Sequence, residues 1–425
     1  MLKKAVLAGA VALGLGLAGA AHAGTVDVWF HAGKGEEREL LSSLIENFTA
    51  ENPGIEINLV LLPEGSYNDQ VNAAALSGDL PDLLDFDGPF IANYVWSGFL
   101  TPLNGKVDQA IIDDLLPSIV EQGTYPPDGN LYSIGMFDSG LSLWGNKAFL
   151  VKAGVRIPEH VGDAWTLAEF EDVLAKLAAT KGVKWPLDLK LNYGTGEWFT
   201  YGFSPIIQSM GSDLIDRTDW RATGAVDGDG AVKGMQALQK WVNNGWVVPA
   251  SAGDTNFYSE KNVGLAFVGH WMFTPHTKGL GDDAILIPIP KFGSAHATGM
   301  GSWNWGLTES SDNKEDAITF LEYLMQPEQV ARWGNEIGSV PARVEALKYA
   351  KNFAEGGRLA LYVEQLNSIA VPRPFHPAYP TITTAYAEAV NNIIAGGDVE
   401  AELKKAAKSI DEDIEDNDGY PPFGG

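Results

Sequence analysis

Acidic side chains stand at two places where a predicted strand ends and a loop begins. Asp87 follows the apolar strand 83–86, and Asp138 follows the strand 131–136. In open α/β sheets, the loops at the carboxyl ends of the strands form the ligand crevice. An ionised carboxylate accepts two hydroxyl donors at once, through hydrogen bonds strengthened by its charge. Both residues are therefore candidates for binding a hydroxyl-rich ligand. The alternatives are that Asp87 caps the helix after Pro89 and that Asp138 is an ordinary turn residue.

Tryptophan is frequent, with 13 residues, and its flat ring suits the apolar C–H face of a sugar. Trp271 and Trp303 each come two residues after a glycine, which lets backbone and ring approach a ligand closely. Trp305 lies two residues beyond Trp303, on the same strand face. Trp144 and Trp198 are further candidates for the same cleft. Because aromatic packing adds roughly 0.5 to 1.5 kcal/mol beyond area burial, stacked rings could supply much of the selectivity for a sugar.

Three other charged residues belong to the candidate site. Glu37 stands in the first turn of a predicted helix, where the helix dipole and unpaired N–H groups favour a carboxylate. This placement alone gives it a structural role, and a one-residue slip with Glu36 stays open. Arg373 offers a planar fork of donors, unless it is a surface arginine. His31 follows the first predicted strand and is another cation near the site.

The first 23 residues have the pattern of a cleavable export signal. Lys3 and Lys4 precede an apolar run at 5–20, and Ala21-His22-Ala23 is a small-x-small cleavage site. The apolar run is shorter than the roughly 20 residues that span a membrane. A lipid anchor would need a cysteine, and the sequence has none. We therefore expect a bacterial periplasmic protein without a membrane anchor, starting at about Gly24.

Composition excludes several classes of function. A chain of 425 residues that is 45% hydrophobic can form two sizeable cores, since single cores stop growing near roughly 250 to 300 residues. The net charge of −26 argues against nucleic acid or an anionic bilayer as partner, because both need basic patches. The lack of cysteine excludes disulfides and a thiolate nucleophile. No phosphate-binding motif is present. We expect a monomer without metal or cofactor.

Hydrophobic periodicity predicts alternating strands and helices. The first third has strands at 26–30, 55–62 and 83–86 and helices at 36–50 and 67–76. This order is typical of a parallel α/β sheet. A second series contains helices at 167–179, 199–210 and 231–244, followed by strands at 263–268, 284–289 and 303–308 and helices at 314–325 and 328–333. Its first helix opens on the capping box Thr166 to Glu169. We therefore predict two α/β lobes, with the chain returning to the first lobe late.

An ordered series of segments carries a family resemblance across nearly the whole mature chain. The segments are VDVWFHAGKGEERELLSSLIENFTAENPGIEINL, PDLLDFDGPFIANYVWSGFLTPL, LYSIGMFDSGLSLWGNKAFLVKAGV, VGLAFVGHWMF, GMGSWNWGLTESSDNKEDAITFLEYLMQPEQVARW and RPFHPAYPTITTAYAEAVNNIIAGG. Together they resemble the family 1 extracellular solute-binding proteins, the sugar-binding subunits of bacterial ABC importers of the maltose and trehalose type.

The resemblance implies the type II periplasmic-binding-protein fold, with each lobe a mostly parallel sheet flanked by helices and the ligand in the cleft between lobes. We place the first lobe at 24–136 plus about 295–338, and the second at about 137–294 plus 339–425.

The resemblance also assigns roles to the candidate residues. Asp87 and Asp138 correspond to carboxylates that contact sugar. Glu37, rather than Glu36, falls at a binding position, and Arg373 matches an arginine that reaches the cleft. Trp271 and Trp303 match aromatic positions under sugar rings. The expected function is to capture a sugar between the lobes and deliver it to the permease subunits of an ABC transporter.

Two other functions stay open at this stage. A binding protein for another polyol or for glycerol phosphate would have the same fold, but a phosphate needs more cations than Arg373 and His31 offer. A secreted glycoside hydrolase would also use paired carboxylates, but no hydrolase motif is present. A metal site built from His31, His270 and His276 would require these scattered residues to meet by chance in the folded chain.

Overall fold

The computed structural model describes residues 24–423, so the predicted export signal lies outside the described residues. The strands in this range are β1 (Gly24–His31), β2 (Ile55–Leu62), β3 (Leu83–Asp87), β4 (Thr124–Tyr125), β5 (Asn130–Leu131), β6 (Ser133–Ile134), β7 (Phe137–Asp138), β8 (Leu141–Asn146), β9 (Trp185–Asp188), β10 (Val263–Gly269), β11 (Ala284–Ile287), β12 (Thr298–Met300), β13 (Trp303–Leu307), β14 (Val340–Pro341) and β15 (Ala370–Pro372).

The α-helices in the same range are α1 (Gly35–Glu51), α2 (Tyr67–Ser77), α3 (Ile91–Trp96), α4 (Gln109–Asp113), α5 (Pro117–Gly123), α6 (Lys147–Ala153), α7 (Leu167–Ala178), α8 (Glu197–Ser209), α9 (Asp229–Asn243), α10 (Phe273–Leu280), α11 (Lys314–Leu324), α12 (Pro327–Glu336), α13 (Val344–Leu347), α14 (Ala360–Ser368), α15 (Tyr379–Ile394) and α16 (Val399–Asp416).

The first lobe is built on a five-stranded sheet in the order β2-β1-β3-β13-β6. Strand β1 pairs in parallel with β2 and β3, as the predicted strand and helix order requires. Strand β13 pairs antiparallel with β3 and β6, so the chain does return to this lobe late. In this register Trp303 lies opposite Asp87, and Trp305 lies opposite Asp85. Two of the predicted site residues are therefore neighbours at one end of the sheet.

The second lobe is built on a four-stranded sheet in the order β11-β8-β10-β9. Strand β10 pairs in parallel with β9, but β8 pairs antiparallel with β10 and β11. The prediction of mostly parallel strands is therefore wrong for this sheet, and in the first sheet parallel and antiparallel pairs are equally frequent. The reason is that β8 inserts between β10 and β11, which the α10 crossover links. The apolar pattern of a strand does not encode its direction.

Helix α7 illustrates how local sequence sets the bounds of an element. The backbone N–H of Glu169 donates to the Thr166 hydroxyl at 3.3 Å, and the N–H of Thr166 donates to the Glu169 carboxylate at 2.8 Å. This reciprocal pair is the predicted capping box. Phe170, Leu174 and Leu177 follow at helical spacing and are buried in the second-lobe core. Their burial is what ties the helix to the sheet.

The lobes have separate cores, and two short strand pairs lie near the proposed lobe boundaries. One core surrounds the first sheet and contains Trp305 and Trp333, whereas another contains Trp165 and Trp241. Strand β12 pairs with β15, and β7 pairs with β14. The proposed residue boundaries of the lobes stay a prediction. Within residues 24–423, no helix combines the length and apolar character needed to span a membrane.

Candidate functional site

A cavity of about 500 Å³ lies between the two lobes. The first lobe lines it with residues that include His31, Lys34, Glu37, Glu64, Tyr67, Asp69, Asp87 and Trp303. The second lobe and the connecting segments line it with residues that include Ser139, Tyr193, Glu197, Trp198, Tyr201, His270, Trp271 and Arg373. Carboxylates, hydroxyls and aromatic rings therefore face one cavity from both sides.

The structure brings together seven of the ten residues predicted for the site. Those that line the cavity are His31, Glu37, Asp87, Trp198, Trp271, Trp303 and Arg373. Asp138, Trp144 and Trp305 do not line it and are placed elsewhere, each for a specific reason.

Asp138 lies on the other side of its strand from the cavity. Successive side chains of a strand point to opposite faces, and its neighbours Phe137 and Ser139 are the ones that line the cavity. The Asp138 carboxylate is 1% exposed and accepts a hydrogen bond from the N–H of Ser139 at 2.8 Å. The assignment of Asp138 to the cavity wall is therefore corrected by one residue, to Ser139.

Trp305 and Trp144 belong to the lobe cores. Trp305 shares a strand face with Trp303, as predicted, but it lies further from the cavity and stacks on Phe30 at 5.8 Å between ring centroids. The ring of Trp144 contacts His276 in a T-shaped arrangement at 5.0 Å, within the second lobe. Both tryptophans are only 2% exposed. Neither ring reaches the cavity.

Arg373 occupies the centre of the charged part of the cavity, between two carboxylates. Its Nη1 lies 2.8 Å from Oδ2 of Asp87, and its Nη2 lies 2.6 Å from Oδ1 of the same residue. Nη1 also donates to Oε1 of Glu197 at 2.5 Å. Asp87 ends β3 of the first lobe, and Glu197 begins α8 of the second, so one guanidinium links the two lobes. The alternative role of Asp87 as a helix cap is not observed, since its side chain makes no cap hydrogen bond.

Glu197 is held by several donors besides Arg373. The hydroxyl of Tyr379 is hydrogen-bonded to Oε1, and the hydroxyl of Thr383 donates to Oε2 at 2.7 Å. Burial raises the pKa of Glu197, while the charge of Arg373 and these hydrogen bonds oppose the rise. The guanidinium of Arg373 lies over the ring of Tyr201, 4.7 Å from its centroid. The whole group is fixed by contacts within the protein.

His31 is stacked on Trp303. Their ring centroids are 3.9 Å apart, with 14° between the ring planes. The Nδ1 atom of His31 is hydrogen-bonded to Oδ2 of Asp85, and both side chains are almost completely buried. Burial alone would lower the pKa of His31, but the charge of Asp85 and the hydrogen bond to it raise that pKa to about 9. The imidazole is therefore protonated at neutral pH.

Glu37, not Glu36, faces the cavity. Glu37 is 5% exposed, and its Oε2 accepts a hydrogen bond from the backbone N–H of Lys34 at 2.5 Å. Glu36 instead lies toward the surface, where Lys278 is 3.6 Å away. Burial raises the pKa of Glu37, and the charge of His31 opposes that rise. The choice that the sequence left open is thereby resolved.

Lys34 connects the lobes at a second point. Its ammonium lies 3.3 Å from Oδ2 of Asp254 and 4.5 Å from the centroid of the Tyr193 ring, both in the second lobe. Asp254 is in turn 3.1 Å from the buried ammonium of Lys190, which also pairs with Asp188 at 2.9 Å. Burial works to raise the pKa of Asp254, but the charges of Lys190 and Lys34 lower it. Asp254 is therefore an ionised partner for Lys34.

Trp271 lies on the second-lobe wall and packs against other rings. It makes a T-shaped contact with Trp198 at 5.9 Å and a tilted contact with Tyr201 at 6.2 Å. The indole folds back over Gly269, where a Cβ atom would lie 2.0 Å from Cζ3 of Trp271. The absence of a side chain at Gly269 therefore allows the indole to adopt this position, and its approach to a ligand stays a prediction.

A neutral hydrogen-bond chain lines the same wall. Nε2 of His270 is 2.9 Å from the hydroxyl of Ser139, which is 3.1 Å from the hydroxyl of Tyr201. Burial lowers the pKa of His270 to about 3, so its ring is uncharged at neutral pH. The chain offers hydroxyl groups to a ligand, but such a weakly basic imidazole is a poor general base for Ser139.

Sequence reasoning missed some of the lining residues. The cavity residues that were not predicted include Lys34, Glu64, Tyr67, Ser139, Tyr193, Tyr201 and His270. A signal was present for Tyr201, which lies four residues after Glu197 on one face of α8. No local sequence pattern identified Lys34 as a cavity residue, because its partner Asp254 is 220 residues away in the chain.

His31, His270 and His276 each have partners of their own in the fold. His31 pairs with Asp85, His270 bonds to Ser139, and His276 is buried against Phe257 and Trp144. In the part of the chain that the structure describes, no group of three or more His, Asp or Glu side chains is arranged to hold a metal ion.

Comparison with known proteins places the chain in a family. Residues 33–331 match the family described as bacterial extracellular solute-binding protein. A putative binding protein of Brucella abortus (strain 2308) is 24% identical over 411 residues, which are 93% of this chain and 95% of the relative. The lactose-binding protein of Rhizobium radiobacter is 24% identical over 344 residues, 76% of each chain.

Solved structures confirm the fold. The maltose-bound MalE3 of T. maritima has a TM-score of 0.79 at 20% sequence identity, covering 91% of this chain and 99% of that chain. This likeness confirms the predicted two-lobe arrangement with helices flanking the sheets. Together with the family match over most of the sequence, it means that this chain belongs to the bacterial extracellular solute-binding proteins.

Proposed function

We propose that this chain is the substrate-binding component of an ABC importer, which captures a neutral sugar between its lobes and delivers it to the membrane permease. The sugar is an oligosaccharide or a monosaccharide. The observation that carries the proposal is that Trp303 and Trp271 line one cavity from opposite lobes. Rings on both walls, with hydroxyls and carboxylates between them, suit a ligand that has apolar C–H faces and many hydroxyl groups.

The charges of the cavity favour a neutral ligand over a phosphorylated one. Arg373 is neutralised by Asp87 and Glu197, His31 by Asp85, and Lys34 by Asp254. A phosphate would have to displace one of these carboxylates from its cation. Meanwhile Glu64 and Asp69 add negative charge to the lining. We therefore rank glycerol phosphate below sugars as a ligand.

The contacts of Arg373 argue against Asp87 and Glu197 as the carboxyl pair of a glycoside hydrolase. A glycosidase needs one carboxyl group that is free to act as an acid and another free to act as a base or nucleophile. Asp87 and Glu197 are both bound to Arg373. Neither is available for those roles while the guanidinium lies between them. We propose that the protein binds its ligand without changing it.

The sequence is the basis for the proposed cellular location, oligomeric state and partner. The export signal at 1–23 would place the mature chain in the periplasm, where it would act as a monomer and dock on permease subunits. Mass spectrometry of protein recovered from the periplasm would test cleavage before Gly24. Light scattering after size-exclusion chromatography would test the monomer.

Tryptophan fluorescence titrations test the function directly. Maltose, lactose, trehalose, sucrose, monosaccharides and sn-glycerol 3-phosphate would be titrated into the purified mature chain. We expect a saturable change with at least one sugar, none with the phosphate, and recovery of the sugar intact by chromatography. Binding of sn-glycerol 3-phosphate alone would replace the sugar proposal, and release of reducing sugar would identify a hydrolase instead.

A further inference from the structure

The cavity wall at Trp303 is supported from behind by an ion pair. His31 covers the indole with its imidazole ring, and Asp85 binds the Nδ1 atom of that imidazole. Tyr67 makes a further T-shaped contact with the indole, at 5.4 Å between centroids. His31 and Asp85 are 2% exposed, whereas Trp303 is only partly buried. His31 and Trp303 both line the cavity and Asp85 does not, so Asp85 acts on the cavity through these two rings.

Stability alone does not require charged groups at this position. Removing two charges from water is expensive, and replacing a buried ion pair by apolar residues of similar volume is often neutral or stabilising. The neighbouring stack between the same two strands consists of apolar rings only, since Phe30 lies against Trp305 in the lobe core. The stack that contains an ion pair occurs at Trp303, and Trp303 is the ring that faces the cavity.

A charged pair fixes a ring in a way that apolar packing does not. The hydrogen bond from Nδ1 to Asp85 is directional, so it fixes the plane of the imidazole. A cation over the face of an indole adds electrostatic attraction to packing. We propose that Asp85 is a positioning residue, which orients the His31 imidazolium so that Trp303 is held as a rigid stacking surface for the apolar face of a sugar ring. This inference rests on the proposed sugar-binding function.

The groups around His31 keep it charged. Asp85 faces it from β3, Glu37 from α1, and Glu64 from the loop before α2, while Trp303 and Phe30 supply uncharged rings. Asp85 is the one that bonds directly to the imidazole. Loss of the Asp85 charge would remove the largest influence that raises the pKa of His31, so that pKa would fall.

Asp85→Asn is the central variant, and Asp85→Asn/His31→Phe is its partner. The double variant removes both charges and keeps a flat ring against Trp303, so it stays informative if the single variant fails to fold. Asp114→Asn is the matched control, because Asp114 pairs with the buried Arg343 at 2.8 Å and does not line the cavity. All variants would be made in the full mature chain.

The first measurement needs no ligand, so it is independent of the proposed function. The indole ¹H–¹⁵N signal of Trp303, assigned with Trp303→Phe, would be compared in the wild type and the variants. We expect it to shift and broaden in Asp85→Asn and to stay unchanged in Asp114→Asn. An unchanged Trp303 signal in Asp85→Asn would overturn the inference.

The second measurement is maltose affinity as a function of pH. Loss of one rigid stacking surface should weaken binding about threefold to tenfold at pH 7.5 in Asp85→Asn. Part of the affinity should return at pH 5.5, where His31 regains its proton, whereas the wild type and the double variant should show no such dependence. Absence of binding in the wild type to maltose and to every other sugar of the titration panel would count against the sugar proposal only. A uniform loss at every pH in Asp85→Asn would reduce Asp85 to a structural role.

Discussion

The guanidinium of Arg373 holds both carboxylate oxygens of Asp87, with Nη1 2.8 Å from Oδ2 and Nη2 2.6 Å from Oδ1. Both oxygens of Asp87 therefore have a donor from within the protein. The residue expected to accept sugar hydroxyls is thus half of a bidentate ion pair, which also ties the end of β3 to the segment that follows β15. The acceptor capacity left for a ligand lies in the second lone pair of each oxygen.

We predict that Arg373→Lys weakens both the fold and ligand binding. A lysine provides one ammonium in place of a planar fork, so it cannot hold Asp87 through two parallel bonds and also reach Glu197. Loss of a hydrogen bond to a charged group corresponds to about 1.5 to 3 kcal/mol of unfolding free energy. Urea denaturation would measure this loss, and fluorescence titration with the sugar identified in the screen would measure affinity.

Arg343→Lys is the control for that prediction. Arg343 is also buried and pairs with Asp114, but it does not line the cavity. Its substitution should lower stability and leave sugar affinity unchanged. Equal affinity losses in Arg343→Lys and Arg373→Lys would mean that Arg373 affects binding only through general stability.

Gly269→Ala should displace the indole of Trp271. The added methyl group would lie 2.0 Å from Cζ3 of Trp271, so the ring must move. If stacking on this ring contributes about 0.5 to 1.5 kcal/mol, affinity should fall about twofold to tenfold. Calorimetric titration would measure it. Gly162→Ala is the matched control, since a methyl group there meets nothing within 4 Å, and it should bind as the wild type does.

The order of strands and helices in the first lobe could be predicted from the sequence because those signals are local. The strand Ile55–Leu62 and the start of the helix at Tyr67 were predicted at the residues where they occur. Strand direction in the second lobe could not be predicted, because β8 inserts between two strands that are joined elsewhere in the chain.

In the candidate site, too, local sequence patterns predicted some features, whereas contacts between distant residues could not be predicted. Ser139 lines the cavity in place of Asp138, because a shift of one residue along a strand turns a side chain to the opposite face. Trp303 lines the cavity and Trp305 does not, although both lie on one strand face. Partnerships such as Asp87 with Arg373, 286 residues apart, leave no local pattern. Only the folded chain brings these residues together.

Lys34→Ala should favour separation of the lobes. The contact of Lys34 with Asp254 and Tyr193 joins the first lobe to the second at the edge of the cavity. Because both charged groups are partly exposed, the pair is worth at most about 1 kcal/mol, which shifts a two-state equilibrium about fivefold. Small-angle scattering without ligand should give a larger radius of gyration for the variant, and high salt should move the wild type in the same direction.

A matched variant separates this effect from a general change in charge. Lys176→Ala removes an ion pair with Asp172 that lies within one helix of the second lobe. It should leave the radius of gyration unchanged. A Lys34→Ala protein with the wild-type radius at both low and high salt would show that this contact does not hold the lobes together.

The stability of the protein should fall as pH rises through the alkaline range because of His31. Its pKa is about 9 in the folded chain and 6.5 ordinarily, so the folded state binds a proton that the unfolded state releases. The resulting stabilisation is present in full below pH 6.5 and is lost as pH rises through 9. It amounts to on the order of 3 kcal/mol. Urea denaturation at intervals from pH 6 to pH 10 would measure the decline. The Asp85→Asn/His31→Phe variant lacks the titrating group, so the difference between its profile and that of the wild type isolates the contribution of His31. If the two profiles ran parallel over this range, folding would not raise the pKa of His31.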